Sequence, residues 1–185
     1  KTLRCVGTYQ SVVFDDPIDG TTYVAFYPEQ IKSAIGNKGT WSSESGHINE
    51  ALQAPVDNPA FKKWFKGSKI TDAAGKPLLV YHGTMASFAE FDYEKLGKNT
   101  QAPWASLGYF FTEDTELASS FTKGTGWSSD HAKFRAGGNV IPVYLSIKKP
   151  LRVPASELLP ISGSQVRLTK FKESAIASGH DGLII

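Results

Sequence analysis

One cysteine, Cys5, stands among 185 residues. A lone thiol closes no internal disulfide and supplies no cysteine-built zinc site. Charge of one sign is also scarce, since 20 Lys+Arg against 18 Asp+Glu leave a net charge of only +2. So small an excess gives no electrostatic footprint for a nucleic acid. No apolar run approaches the roughly 20 residues that cross a bilayer, and no charged-then-apolar leader opens the chain. Walker-type phosphate loops and Rossmann glycine fingerprints are missing. His47, His131 and His180 fall at no metal-ligand spacing, so no metal is expected. The serine clusters at 42–45 and 162–164 lack the context of a hydrolase nucleophile. What the chain does have is 41% hydrophobic residues, with 12% aromatic, which is enough for the core of one domain. It opens on Lys1 rather than methionine, which fits a piece of a larger polypeptide.

The most distinctive stretch is Pro77-Leu78-Leu79-Val80-Tyr81-His82-Gly83-Thr84. An apolar run bounded by turn formers predicts a buried central strand. It ends in an imidazole, a glycine and a hydroxyl, polar groups that a rigid strand end can hold at a cleft. Thr21–Tyr27 predicts a second strand, paired as a hairpin with Val12-Val13-Phe14 across the Asp15–Gly20 turn. Pro28 then opens a predicted short helix carrying Ile31, Ala34 and Ile35, closed by Gly36-Asn37. Residues 37–57 read as linker or surface loop. Asn58-Pro59 predicts a helix start, with Phe61, Trp64 and Phe65 as its aromatic face. Met85–Ala105 is a long polar connection that Phe88, Phe91 and Tyr93 could pin to the core.

Leu107–Thr112 is a short aromatic strand, with Thr112 as the expected cap of a helix whose inward face holds Leu117, Ala118 and Phe121. Residues 123–139 read as loop, and Val140–Ile147 as a strand in which Pro142 marks a bulge or sheet edge. Pro150–Pro154 is extended, a helix spans Thr169–Ser178 with Gly179 as its stop, and Asp181–Ile185 begins another strand. Strands with short interposed helices and no regular βαβ alternation predict an α+β fold.

Three motifs carry a family resemblance: Tyr81-His82-Gly83-Thr84; Gly108-Tyr109-Phe110-Phe111-Thr112 with Ala118 and Phe121; and Tyr23-Val24-Ala25-Phe26-Tyr27-Pro28-Glu29-Gln30-Ile31-Lys32-Ser33-Ala34. With Val140–Leu145 and Gly179–Gly182 they resemble an ADP-ribosyltransferase-like domain of the His-Tyr-Glu class, as found in polyvalent proteins of phages and mobile elements. That resemblance implies a split β-sheet core of two small packed sheets with short helices. In the family the Gln-Ile-Lys-Ser segment follows the Asp-Gly-Leu-Ile segment, whereas here it comes first. Either residues 1–53 complete the sheet of a main domain at 54–185, as a circular permutation within one structural domain, or they are the tail of a preceding copy. Unpaired sheet edges would be the cost of the second arrangement.

The resemblance also implies an activity, namely cleavage of NAD at the nicotinamide–ribose bond and transfer of ADP-ribose to a macromolecule, protein or RNA. By the same resemblance the chain would be a toxin, effector or phage-associated enzyme, cytoplasmic or delivered into a target-cell cytoplasm. His82 would hydrogen-bond the ribose beside the nicotinamide, Gly83 would offer its backbone to the carboxamide, and Thr84 would neighbour the adenosine ribose. Phe110 holds the place of the class tyrosine, Tyr109 flanks it, and Phe121 matches a second aromatic over the nicotinamide ring. The class glutamate is missing: its place is held by Thr22, with Glu29 and Gln30 as the nearest substitutes. Chain extension is therefore not expected. Mono-transfer, NAD hydrolysis and an NAD- or nucleotide-binding module without turnover all remain open.

Overall fold

The computed structural model describes residues 20–35, 55–86, 88, 90–96, 102–122 and 138–185. Its strands are β1 (Thr22–Ala25), β2 (Ile31–Ser33), β3 (Val80–Thr84), β4 (Tyr109–Thr112), β5 (Asn139–Leu145), β6 (Pro150–Arg152) and β7 (Gly182–Ile184). They form one sheet in the order β2-β5-β3-β4-β1-β7-β6, antiparallel throughout except for β6 with β7. Helices α1 (Pro59–Phe65), α2 (Thr115–Ser120), α3 (Ala155–Leu158) and α4 (Gln165–Ala177) complete the α+β arrangement.

The sheet is pinched in the middle. β3 runs beside β5 from Val80↔Val143 to Thr84↔Asn139, yet meets β4 only at Tyr81↔Thr112. The halves β2-β5-β3 and β4-β1-β7-β6 therefore share a single residue pair as their seam. This is the expected split core, with its two sheets joined rather than separate. Residues 20–35 supply two of the strands: β1 lies between β4 and β7, and β2 forms an edge on β5.

Strand periodicity divides the core. On one face lie Tyr23, Ala25, Val80, Tyr109, Phe111 and Val143, covered by Ile70, Phe91 and Phe88 from non-helical segments. On the other lie Val24 and Leu183, packed with Phe26, Trp104, Leu107, Leu158, Leu168 and Ala175, largely from α3, α4 and the turn before β4. α1 covers the β5 end of that second face, where Phe61 and Trp64 are buried and the Phe61 ring lies 5.3 Å from that of Tyr144. Each of those two side chains contributes on the order of 1.5–3 kcal/mol by burial.

Local signals explain most boundaries. Asn58 Oδ1 accepts from Ala60 N at 2.8 Å and caps α1, with Pro59 in the first turn as expected. α4 ends in a Schellman arrangement: Gly179 takes φ +85°, its N–H donates to Ile176 O, and His180 N–H donates to Ala175 O.

Four expectations are corrected. Ile31–Ser33 is not helical: after a single 3-10 turn at Pro28–Gln30 the chain becomes β2, because pairing with β5 outweighs a weak helical spacing. Asp114, not Thr112, caps α2, accepting from Glu116 N and Leu117 N, while Thr112 Oγ1 accepts from Asp114 N in the turn before it. Pro142 lies on an interior strand. Its carbonyl accepts from Ala34 N, so its nitrogen faces the same side, where β2 ends and no donor is needed. α4 begins four residues early, capped by Ser164. The Val12–Phe14 arm, Gly36-Asn37 and residues 123–137 lie outside the described residues.

Candidate active site

His82 stands where the sheet parts. Beyond the Tyr81↔Thr112 pair β3 has no ladder to β4, and the imidazole bridges the gap: Nδ1–H donates to Phe110 O at 2.9 Å. A carbonyl can only accept, so Nδ1 carries the proton and Nε2 holds the lone pair. Burial lowers the His82 pKa below its ordinary value, with the Phe110 bond opposing it. The ring is neutral at physiological pH and offers an acceptor at Nε2, which has no partner among the described residues. Phe91, Phe111 and Phe88 hold the ring at centroid distances of 5.1, 5.5 and 6.3 Å.

Gly83 is required before any ligand is considered. A Cβ there would collide with the Ala118 carbonyl oxygen of α2 and approach Phe121 Cβ to 3.0 Å. The missing side chain thus lets a helix settle over the strand end, and Gly83, Ala118 and Phe121 converge. Phe121 is 45% exposed at the rim of this cluster, not part of the inward face expected for it. Gly108 is similarly constrained, since a Cβ there would meet Ala25 O of β1.

The register sorts the aromatic triplet. Tyr81 opposes Thr112, so Gly83, Phe110 and Thr112 share the α2 face, while His82, Tyr109 and Phe111 share the other. Phe110 is half-buried against the helix-covered core. The His82 and Phe110 side chains therefore lie on opposite faces, linked through the Phe110 carbonyl. Tyr109 packs 5.1 Å from the Phe91 ring, and its buried hydroxyl has no hydrogen-bond partner among the described residues. Burial first, then the negative field of Asp92, holds that phenol well above the usual tyrosine range. Thr84 Oγ1 accepts from Ala86 N at 3.1 Å.

Thr22 is buried in β1, directly across from Thr112, which in turn faces Tyr81. Three hydroxyl-bearing residues, Thr22, Thr112 and Tyr81, thus form a row across the α2 face. Sequence reading missed Tyr81 and Thr112 as members. The signal was present, since Tyr81 stands two residues from Gly83 and Thr112 two from Phe110, but only the register joins them to Thr22. Tertiary folding brings Glu113 near, where Tyr23 Oη donates to its carboxylate at 2.5 Å. Tyr23, however, points to the face opposite Thr22. Burial and then this bond raise the Tyr23 pKa.

Gln30 and Glu29 stand elsewhere. Gln30 Oε1 accepts from Phe26 N and Tyr27 N, and Nε2 donates to Asp181 O at 2.9 Å and more weakly to Ser146 O. Its amide is fully spent on tying the ends of β1, β5 and β7. Glu29 follows the end of β1 remote from Thr22, and its carbonyl accepts from Trp64 Nε1 at 3.0 Å.

No group of three or more acidic, histidine or cysteine side chains is placed to hold a metal among the described residues, nor is any helix there long and apolar enough to cross a membrane. No curated protein and no solved structure matches the chain. Residues 72–183, more than half of the 185, match the family model described as ADP-ribosyltransferase in polyvalent proteins. That span holds β3 to β6, the first two residues of β7 and the whole His82–Gly83–α2 junction, while β1 and β2 lie before it. With a pinched α+β sheet and a histidine and glycine at its parting, the chain belongs to the family of ADP-ribosyltransferases in polyvalent proteins.

Proposed function

We propose that the chain is a mono-ADP-ribosyltransferase that cleaves the nicotinamide–ribose bond of NAD and passes ADP-ribose to a macromolecule. The observation that carries this reading is the state of His82: a neutral imidazole, fixed through Nδ1 by Phe110 O, with Nε2 left to accept. An acceptor of that kind suits a ribose hydroxyl, and a ring held by three phenylalanines loses little freedom on binding. Gly83 would offer its main chain to the carboxamide from the strand edge, since the space its side chain would fill is taken by Ala118 of α2. Phe110 and Phe121 supply ring faces on the same side as Gly83, each worth on the order of 1 kcal/mol beyond burial if stacked on nicotinamide. These residues fit NAD as substrate.

Thr22 takes the place of the class acid, and a buried hydroxyl stabilises a cationic, oxocarbenium-like ribose far less than a carboxylate does. Absence of such a group commonly costs about 10²–10³ in rate. That same observation favours a second reading, a slow NAD hydrolase or a binding module without turnover. Action as a toxin, effector or phage-borne enzyme in a cytoplasm, its own or a target cell's, belongs with the first reading.

The test is nicotinamide release from NAD by the purified chain, with His82→Ala and Thr22→Glu beside it. Transferase chemistry is expected to give slow release that His82→Ala abolishes and Thr22→Glu raises about tenfold or more. Binding of NAD without release from either the parent chain or Thr22→Glu would establish the binding module. Loss of binding altogether would overturn both readings.

A further inference from the structure

Lys172 is a buried amine that the proposed chemistry does not use. It lies on α4 among the residues that face the core, only 4% exposed, and its Nζ has no hydrogen-bond partner among the described residues. That nitrogen lies 5.3 Å from the centroid of Phe26 and 5.1 Å from that of Tyr93. A buried ammonium without a carboxylate is costly, and the two ring faces compensate only in part.

Tyr93 belongs to the segment that holds His82. It sits in a single 3-10 turn at Tyr93–Lys95, two residues after Phe91, whose ring lies 5.1 Å from the imidazole. A second route runs through Tyr109, whose ring packs 5.1 Å from Phe91 and whose phenol lies within electrostatic range of that of Tyr93. Tyr93 is otherwise half-exposed, 52%, so the Lys172 contact fixes a ring that solvent alone would leave loose.

We propose that Lys172 is a positioning residue for His82: its charge clamps the Tyr93 ring to α4 and so holds Phe91 against the imidazole. This rests on the reading of His82 as the ribose-binding group. Burial lowers the Lys172 pKa to about 8, which places loss of the clamp within an accessible pH range. The groups facing this region are Phe26 and Tyr93 on the amine itself, with Glu29 and Asp181 acting on Tyr27, and Asp92 and Glu29 on Tyr109, beside Tyr93. Neither Tyr27 nor Tyr109 deprotonates in this range, since both phenols are raised. No charged group shifts His82 directly, so coupling between the two sites is transmitted by packing.

The experiment is an NMR titration of the His82 imidazole in the parent chain, Lys172→Met, Tyr93→Leu and, as control, the exposed Lys170→Met on the same helix. The clamp gives the His82 resonance a second inflection near pH 8, beside its own titration at lower pH. That inflection is retained in Lys170→Met and lost in both Lys172→Met and Tyr93→Leu. Nicotinamide release should fall about two- to tenfold through the same pH range, the size of one cation–π contact, and should become flat there in Lys172→Met. A His82 resonance with no second inflection in the parent chain, or one that persists in Lys172→Met, overturns the proposal. An inflection that behaves as stated without nicotinamide release at any pH sustains the clamp and removes the enzymatic reading instead.

Discussion

Gly83 decides how closely α2 can approach the sheet. Replacing it with alanine places a methyl group into the Ala118 carbonyl, a fixed Cβ against main chain, where no rotamer can relieve the contact. We expect Gly83→Ala to lose roughly 1–3 kcal/mol or more by overpacking, read as a lower urea midpoint, and to weaken NAD binding even where the fold survives. A second consequence at this scale concerns pH. The unfolded Lys172 titrates near 10.5 and the folded one at about 8, so between these values the unfolded chain binds more protons and stability rises with pH. Tyr23 and Tyr109 act oppositely above 10.0, because their folded pKa values are raised and the unfolded chain ionises first. His82, lowered in the folded state, costs stability as pH falls below 6.5. Thermal midpoints should therefore climb from about pH 8 to about 10 and then decline. Lys172→Met should flatten the climb and stabilise the chain at pH 7 by roughly 1–3 kcal/mol, taking about 1.4 kcal/mol for each tenfold loss of proton affinity on folding and allowing for partial solvation.

At the scale of elements, α2 is the one on which the site most depends, and it cannot hold itself. Its six residues are far below the length at which a helix is stable alone. Its first turn is held by Asp114, whose carboxylate accepts from two main-chain donors at 2.7 and 3.2 Å. Asp114→Ala is expected to cost about 1 kcal/mol. Most of that should appear locally, as faster amide hydrogen exchange at Leu117 and Ala118, and as a loss of NAD affinity larger than the fall in urea midpoint. Equal loss in both measurements would mean that α2 is not a separate unit. The cap illustrates the limit of reading this stretch from residues alone. Thr112 and Asp114 are both good caps, and the choice between them was made by β4, which keeps Thr112 in register with Thr22.

For the whole molecule, β1 matters more than its four residues suggest. It is paired on both sides, with β4 and β7, and carries Thr22, Tyr23, Val24 and Ala25, all buried. We propose that residues 1–53 complete the sheet of 54–185 in the same chain, a permuted order relative to the family. A chain beginning at residue 36 should then lose its cooperative urea transition. Adding back a peptide of residues 20–35 should restore part of it. If the shortened chain unfolds as sharply as the parent, the first strands are dispensable and the permutation is wrong.

Composition, periodicity and turn chemistry determined much by themselves. The α+β class, an interior strand through His82-Gly83 (though it starts only at Val80, with Pro77–Leu79 outside it and Val80 its one buried residue), the capped aromatic helix at Asn58-Pro59 and the Gly179 stop all follow from local rules, because each depends on residues within one turn or one pleat of one another. The three-motif resemblance extended this to the family. What sequence left undecided was long-range. A stretch such as Ile31–Ser33 is too short for its own spacing to choose between helix and strand, and β5 chose for it. Gln30, with the look of a substitute ligand, became a structural tie because two neighbouring main-chain donors and two carbonyls from distant segments, Ser146 and Asp181, met its amide. The placing of His82 and Phe110 on opposite faces, the Thr22–Thr112–Tyr81 row and the contact of Lys172 with Tyr93 arise from strand register and helix docking. Such contacts join residues tens of positions apart, and no local preference encodes them; only the closing of the sheet fixes which side chains meet.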